Sequence, residues 1–239
     1  MTTMPEPRSD QNSAIAHAEL VQKARSGVID VYFIGDSITR RWGALDYPEL
    51  LAHFRKSFLG WNAANFAWGG DRTQNILWRL DNGELTDVSP KVFIVQAGTN
   101  NLGDFGSTEE RIDAIAAGIE AIVERCRLHA PDALVVLTGV FPRRDRPEFN
   151  ASIAAINASI AAFADGRQVR FLDINDRLVD ARGLLSEEMS DDGLHLSLAA
   201  YQVWADALKP ILLERLGAAL DVDIAPAPTG DPAARNVRD

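Results

Sequence analysis

The sequence has 239 residues, 46% of them hydrophobic and 24% charged, which is typical of one globular domain with a buried core. Its 34 acidic residues exceed its 24 basic residues, and the resulting net charge of −10 argues against nucleic-acid binding, which requires clustered Lys and Arg. Cys126 is the single cysteine, so no intrachain disulfide can form, and no stretch reaches the roughly 20 apolar residues of a transmembrane helix.

The composition changes at both ends of the chain. Residues 1–10 contain Pro and charged residues and are expected to be disordered. No apolar segment typical of a secretory signal follows, so the default expectation is a cytoplasmic protein, although a signal already removed would leave the same pattern. Residues 11–218 are predicted to form the folded domain. Residues 219–239, in which apolar periodicity is lost, are predicted to form a flexible tail.

Apolar runs rich in β-branched residues alternate with amphipathic segments along the domain. The runs predict five strands, at Val28–Ile34, Ala63–Ala67, Lys91–Ala97, Leu134–Val140 and Val169–Leu172. The amphipathic segments predict six helices, at Asn12–Arg25, Pro48–Phe58, Thr73–Leu80, Ser107–Leu128, Phe149–Ala164 and Ser197–Leu216. This alternation implies right-handed crossovers and a mostly parallel sheet with helices on both faces. Ligands of such sheets bind at the carboxyl ends of the strands.

The first three predicted strands end in glycine and polar residues. Gly35-Asp36-Ser37-Ile38 would expose the Ser37 hydroxyl at a strand end, although turn and helix-cap chemistry accounts for the same residues. The next strand leads to Gly69 and Gly70, whose backbone N–H groups suit an anion or an ordinary turn. The third leads to Asn100, whose amide can donate to an oxyanion or bond its own backbone. A nucleotide-binding P-loop is not indicated, because Gly-Lys-Ser/Thr is absent.

A carboxylate and a histidine share one glycine-containing segment near the end of the domain. Asp192 precedes His195 by three residues, with Gly193 between them. That spacing lets the carboxylate meet one imidazole nitrogen while the other nitrogen faces a serine. The remaining histidines lie on predicted helices or at a helix end, where a structural role is the simpler interpretation. Together, a serine, a glycine N–H, an asparagine amide and an Asp/His pair predict a serine hydrolase site at one sheet edge.

These blocks resemble those of the SGNH, or GDSL-like, hydrolase superfamily, and the resemblance runs from about Val31 to Leu213. The matching residues are Ser37, Gly70, Asn100 and His195, with Asp192 ahead of the histidine. Within the superfamily, the stretch Gly69–Leu85 is most similar to the platelet-activating-factor acetylhydrolase catalytic-subunit type and its bacterial relatives. No Gly-x-Ser-x-Gly motif of the α/β-hydrolases is present.

The resemblance implies an α/β protein with a flavodoxin-like three-layer α/β/α sandwich and a five-stranded parallel sheet. It also implies ester hydrolysis without a metal or cofactor, acting on a small-molecule ester. Ser37 would be the nucleophile, His195 the general acid–base, and Asp192 the residue that orients the imidazole. The Ser37 and Gly70 N–H groups and the Asn100 amide would form the oxyanion hole. Relatives of the acetylhydrolase type suggest a homodimer.

Several positions near the blocks bear on specificity. Ala67 stands where many relatives have glycine, which could displace the second loop slightly, and Asp191 is interpreted as a solvated neighbour of Asp192. Five apolar residues on or beside the loops are candidates for a small acyl pocket, with core packing as the alternative. They are Ile38, Trp68, Leu102, Phe141 and Leu194. If they line the site, acetyl esters should be preferred over long-chain esters.

Two other functions compete with a short-chain esterase. A carbohydrate O-acetylesterase would use the same triad, and Trp42, Trp61 and Trp68 could stack on sugar rings or belong to the core. A binding module without catalysis predicts a broken set of site residues, whereas all of them are present here. A metal centre is not expected, because there is no His-Glu-x-x-His motif and no cysteine pair.

Overall fold

A computed structural model describes residues 2–103 and 108–235. Its single sheet contains β1 (Val31–Gly35), β2 (Ala63–Asn65), β3 (Val92–Gln96), β4 (Leu134–Thr138) and β5 (Val169–Leu172). The strand order is β2-β1-β3-β4-β5, and every neighbouring pair is parallel. This is the flavodoxin-like order, in which chain direction across the sheet reverses between β1 and β3. The predicted fold class is confirmed.

Helices cover both faces of the sheet and complete the three layers. Within the described residues they are α1 (Gln11–Ala24), α2 (Ser37–Gly43), α3 (Pro48–Phe58), α4 (Thr73–Arg79), α5 (Thr108–His129), α6 (Asn150–Ala161), α7 (Leu198–Leu216) and α8 (Pro232–Arg235). Helices α1, α4, α5 and α6 contribute to the apolar core on one face, and α2, α3 and α7 to the core on the other. None of the helices in the described part of the chain has the length and apolar character needed to cross a membrane.

The central strands are apolar at nearly every position because both of their faces are covered. All five residues of β1, β3 and β4 are buried. Side chains alternate between faces along a strand, so Tyr32 and Ile34 join one core while Val31 and Phe33 join the other. Continuous burial explains why these strands were predictable as unbroken apolar runs.

Two short helices, α2 and α8, have no counterpart among the predicted elements. Helix α2 spans seven residues directly after β1, too few to produce a clear apolar period. Asp36 caps it, because its carboxylate accepts a hydrogen bond from the Ile38 N–H at 2.9 Å. The strand predicted at Ala63–Ala67 is also shorter, since β2 ends at Asn65. The other boundaries differ from prediction by at most three residues, and Ser107 lies outside the described residues.

The N-terminal segment lies against the domain, in contrast to the disorder expected for residues 1–10. Glu6 donates from its N–H to the Gln74 carbonyl at 3.0 Å, and its own carbonyl accepts from the Asn75 amide at 2.9 Å. Arg8 reaches the carbonyl of Gly69. Glu6 and Arg8 therefore have defined partners, supplied by the loop after β2 and by α4.

The C-terminal segment 219–235 likewise differs from the predicted flexible tail. It crosses the surface beside the edge strand β2, where the Leu220 N–H donates to the Gly60 carbonyl at 3.1 Å. Further along, the Ile224 carbonyl accepts from the Val28 N–H at 3.0 Å. Such isolated hydrogen bonds hold a segment without periodic apolar residues, so the sequence carries no pattern that indicates them.

Candidate active site

Ser37 lies at the carboxyl end of β1, as predicted, and is the first residue of α2. Gly35 allows this placement, because a Cβ atom there would lie 2.5 Å from the carbonyl oxygen of Gln96 on β3. The first N–H groups of a helix have no intrahelical acceptor, so the Ser37 backbone N–H belongs to a set suited to an anion. The Ser37 side chain is half-buried and therefore reachable from solvent.

Ser37 lies in one hydrogen-bonded chain with His195 and Asp192. The His195 Nε2 atom is 3.0 Å from the Ser37 hydroxyl, and its Nδ1 atom is 2.7 Å from the Asp192 carboxylate. A carboxylate can only accept, so Nδ1 carries the imidazole proton and Nε2 is free to accept from the serine hydroxyl. This is the geometry of a serine nucleophile with its general base.

The loop before α7 presents Asp192 and His195 as one local unit. The second carboxylate oxygen of Asp192 accepts hydrogen bonds from the N–H groups of Leu194 at 2.9 Å and His195 at 2.7 Å. Gly193 turns the chain with a φ of 79°, and a Cβ atom there would lie 2.7 Å from the backbone nitrogen of Asp145. A glycine is therefore required between the carboxylate and the histidine.

The electrostatics favour an ionised Asp192 and a neutral His195. Partial burial alone would raise the pKa of Asp192, but hydrogen bonds from the His195 backbone and ring and from the Leu194 N–H hold that pKa well below its usual range. Burial lowers the pKa of His195, and the nearby charge of Arg41 lowers it further, against the opposing effect of Asp192. A neutral imidazole is the form that can accept the serine proton.

Gly69 and Gly70 form a tight turn beside the serine. The Asp71 N–H donates to the Trp68 carbonyl at 3.3 Å, and Gly70 has a φ of 78°. A Cβ atom on Gly69 would lie 3.8 Å from the Cβ atom of Ser37, so the turn packs against the serine side chain. The predicted glycine block therefore meets the predicted nucleophile.

Asn100, in the loop after β3, also contacts the glycine turn. It lies in the short helical turn Thr99–Asn101 after β3. Gly98 precedes this turn with a φ of 120°. Its amide donates to the Asp71 carbonyl at 2.9 Å, which ties it to the glycine turn. An amide carries two N–H groups, so one remains for a ligand when the other is used in this way.

The five candidate pocket residues lie in different parts of the structure. Leu102 belongs to the core on one face of the sheet, whereas Ile38 and Phe141 belong to the core on the other, and each is about 1% exposed or less. Trp68 is also buried, with the Arg40 guanidinium over its ring. Leu194, next to the histidine, is half-buried and keeps an accessible surface. The acyl pocket stays a prediction.

The tryptophans considered for sugar stacking belong to the packed interior. Trp42 is completely buried, stacks on Trp204, and donates its ring N–H to His53 at 3.0 Å. Trp61 is 4% exposed and donates its ring N–H to the Gly217 carbonyl. These rings cannot stack on a ligand without unpacking the core, so this part of the carbohydrate hypothesis is wrong.

Two arginines near the site were not singled out from the sequence. Arg41 lies one helical turn after Ser37, and its guanidinium is 3.7 Å from the Asp192 carboxylate. The four-residue spacing on one helix is a signal that could have indicated it. Arg8 contacts the glycine turn from outside the predicted domain, and no sequence pattern connects it to the site.

The similarity to known proteins agrees with this geometry. The family model described as the GDSL-like lipase/acylhydrolase family matches residues 33–203. The alpha1 subunit of platelet-activating factor acetylhydrolase IB from Bos taurus is 34% identical over 217 residues, which cover 90% of this chain and 88% of the bovine protein. The chain belongs to the GDSL-like lipase/acylhydrolase family. It is therefore a carboxylic ester hydrolase.

Two further matches concern the sequence family and the fold of this hydrolase. The alpha2 subunit of platelet-activating factor acetylhydrolase IB from Gallus gallus is 34% identical over 202 residues, covering 84% of the hydrolase and 83% of the chicken protein. The crystal structure of a GDSL-like lipase from Bacteroides thetaiotaomicron has a TM-score of 0.63 at 21% identity, covering 85% of the hydrolase and 96% of the lipase. The first match concerns the sequence family and the second the fold.

Proposed function

We propose that this hydrolase removes short acyl groups, acetyl foremost, from small carboxylic esters through an acyl-enzyme on Ser37. The observation that carries the proposal is the hydrogen-bonded chain from Ser37 through His195 to Asp192, with distances of 3.0 and 2.7 Å. Each group has the hydrogen-bond partner that nucleophilic catalysis requires. No cofactor or metal takes part in the proposed reaction.

In the first half of the reaction, the Ser37 oxygen attacks the ester carbonyl carbon while its proton passes to Nε2 of His195. The tetrahedral intermediate then collapses, the bond to the alkoxy group breaks, and His195 returns the proton to the leaving alcohol. In the second half, water attacks the acyl-enzyme with His195 again as base, and the acid and free Ser37 are released. Asp192 stabilises the imidazolium formed in both halves.

The negative oxygen of the tetrahedral intermediates is assigned to the space beside the glycine turn. The Ser37 N–H, the Gly70 N–H and the Asn100 amide are the proposed donors. The tight packing of Gly69 on Ser37 and the hydrogen bond from Asn100 to the Asp71 carbonyl support this grouping. Loss of one such donor typically reduces the turnover rate by about 10²- to 10³-fold.

The preference for short acyl groups rests on packing. Leu102, Ile38 and Phe141 beside the site loops are already buried in the two cores, and a long chain would have to displace them or lie in solvent. Inserting groups into a packed core typically costs about 1–3 kcal/mol. Similarity to acetylhydrolase subunits of two species supports the same preference.

The test compares the wild type with Ser37→Ala on p-nitrophenyl acetate, butyrate and octanoate, without added metal. We expect the highest kcat/KM on acetate and a loss of at least about 10³-fold in the variant. Equal rates for the two proteins would remove Ser37 as nucleophile, and faster hydrolysis of octanoate would remove the small pocket. Faster acetate release from acetylated xylan than from the aryl ester would favour the carbohydrate O-acetylesterase.

A homodimer, suggested by the sequence resemblance alone, and a cytoplasmic location, the default expectation from the sequence, are also proposed. Light scattering coupled to size-exclusion chromatography tests the first, since the chain mass is 26.1 kDa and a dimer would have twice that mass. Fractionation of the source cells tests the second.

A further inference from the structure

Arg8 of the N-terminal segment contacts the glycine turn of the active site. It lies before α1 and outside the family match to residues 33–203. Its guanidinium donates to the Gly69 carbonyl at 3.2 Å. The same group is held by the carboxylate of Asp10 at 2.9 Å and lies 3.7 Å from that of Asp71. A charged side chain with two acidic neighbours is therefore fixed on one backbone carbonyl of the site.

The carbonyl that Arg8 holds belongs to the same peptide group as the Gly70 N–H. In a trans peptide the C=O and N–H bonds point in opposite directions. The turn from Trp68 to Asp71, with positive φ at its third residue, has the signature of type II. Turn types I and II differ mainly by a flip of this central peptide, which would reverse the direction of the Gly70 N–H.

Gly70 and Arg8 are complementary in shape. A Cβ atom built on Gly70 would lie 2.8 Å from the Arg8 guanidinium, so the arginine occupies the space that a side chain would take. Gly69 instead faces Ser37, at 3.8 Å from a built Cβ to the serine Cβ. The turn is thus enclosed by the arginine on the Gly70 side and by the nucleophile on the Gly69 side.

We propose that Arg8 is a positioning residue, which holds the Gly69–Gly70 peptide so that the Gly70 N–H points toward the oxyanion. The proposal rests on the proposed function, because it assigns Gly70 to the oxyanion hole. The guanidinium fixes the peptide plane through the Gly69 carbonyl, and its charge polarises the amide, which makes the Gly70 N–H a stronger donor. Arg8 itself touches neither the substrate nor the reacting atoms.

Other contacts anchor the flank of the turn and leave its central peptide to Arg8. The Asp71 carboxylate forms a buried ion pair with Arg79, at 2.5 Å, and the Asp71 carbonyl accepts from Asn100 at 2.9 Å. These contacts fix the end of the turn, whereas the Arg8 hydrogen bond acts on the peptide that carries the proposed donor. Removal of Arg8 should therefore leave the fold in place and release that peptide.

The experiment measures kcat and KM on p-nitrophenyl acetate for Arg8→Ala, with Arg25→Ala as the matched control. Arg25 is an exposed arginine at the end of α1, and its loss changes the net charge equally. We expect kcat of Arg8→Ala to fall about 10- to 100-fold with KM within about threefold, because the donor is misdirected and not deleted. The control should stay within about twofold of the wild type.

Three readouts separate positioning from a general structural role. Guanidinium chloride at about 50 mM should restore part of the lost kcat in Arg8→Ala, and sodium chloride at the same concentration should not. The apparent pKa of the kcat/KM profile should stay unchanged, because the arginine does not act on His195. In ¹⁵N-labelled protein the Gly70 amide signal should shift or broaden in Arg8→Ala and not in Arg25→Ala.

The proposal is overturned if kcat of Arg8→Ala stays within threefold of the wild type, if the loss appears in KM alone, or if the Gly70 amide is unchanged. It is also overturned if the lost activity follows the fraction of unfolded protein and guanidinium restores none of it. Failure of the proposed function looks different, because Ser37→Ala would then keep its activity. In that case the Gly70 amide signal still decides whether Arg8 holds the peptide.

Discussion

Asp192→Asn is the most discriminating substitution at this site, because the surrounding loop dictates how the new amide must lie. One carboxylate oxygen of Asp192 accepts two backbone N–H groups, from Leu194 and His195, and the other faces Nδ1 of His195. An asparagine oxygen must stay on the two N–H donors, so its NH₂ group faces Nδ1. The imidazole then carries its proton on Nε2 and can no longer accept the proton of Ser37.

The size of the effect follows from the cost of the alternative rotamer. Turning the amide over would restore the useful imidazole tautomer but would place an NH₂ group against two N–H donors. Leaving each donor without an acceptor costs about 1–3 kcal/mol, hence about 2–6 kcal/mol for both. At 1.36 kcal/mol per factor of ten, the population of the active arrangement falls by between about 30-fold and about 3×10⁴-fold. We expect kcat/KM to decrease by a factor in the same range.

The assay compares Asp192→Asn with Asp191→Asn on p-nitrophenyl acetate at neutral pH. Asp191 is the exposed neighbour, so its substitution removes the same charge one residue away. We expect the control to keep at least half of the wild-type activity, and circular dichroism should show both variants folded. A loss below tenfold in Asp192→Asn, or an equal loss in the control, would refute the assigned role of the carboxylate.

Two more predictions concern pH and the C-terminal segment. Burial and the charge of Arg41 lower the pKa of His195, so the acidic limb of the kcat/KM profile should have its midpoint below the ordinary value of 6.5. Arg41→Ala should move that midpoint upward. An unchanged midpoint in the variant would contradict the charge effect. Asp223 accepts from the N–H groups of Gly60 and Asn62, at 3.0 and 2.8 Å, so Asp223→Ala should lower the free energy of unfolding by about 1–3 kcal/mol with kcat unchanged. Urea denaturation of Asp223→Ala and of the exposed control Asp221→Ala measures this difference, and equal stability of the two variants would show that the Asp223 hydrogen bonds contribute nothing.

The fold was predictable because its strongest determinants are local in the sequence. Strands β1, β3 and β4 are buried on both faces and appear as unbroken apolar runs. Helix α3 was predicted with both ends correct, since Pro48 opens it and an amphipathic pattern fills it. Helix α2 was not predicted, because seven residues give less than two turns of periodicity. Its position depends on the cap at Asp36 and on packing against the neighbouring elements.

The terminal segments escaped prediction for a different physical reason. Their order depends on single hydrogen bonds to distant residues, such as that from Asn62 to Asp223 and that from Asn75 to Glu6. Composition indicates how much apolar surface a segment can bury, but it does not indicate such hydrogen bonds. The pocket residues show the same limit, because residue type alone could not decide whether Leu102 lines a site or a core.

The two halves of the site differ in how far the sequence encodes them. Asp192 accepts hydrogen bonds from the N–H groups two and three residues after it and contacts the ring of His195, so the proposed acid–base half is built inside four consecutive residues. The rest of the fold then only has to place that loop beside Ser37. The proposed oxyanion half depends on Arg8 and Asn100, which come from distant parts of the chain. The proposed acid–base half can therefore be recognised as a sequence motif, whereas the orientation of Gly70 as the proposed donor depends on the three-dimensional fold.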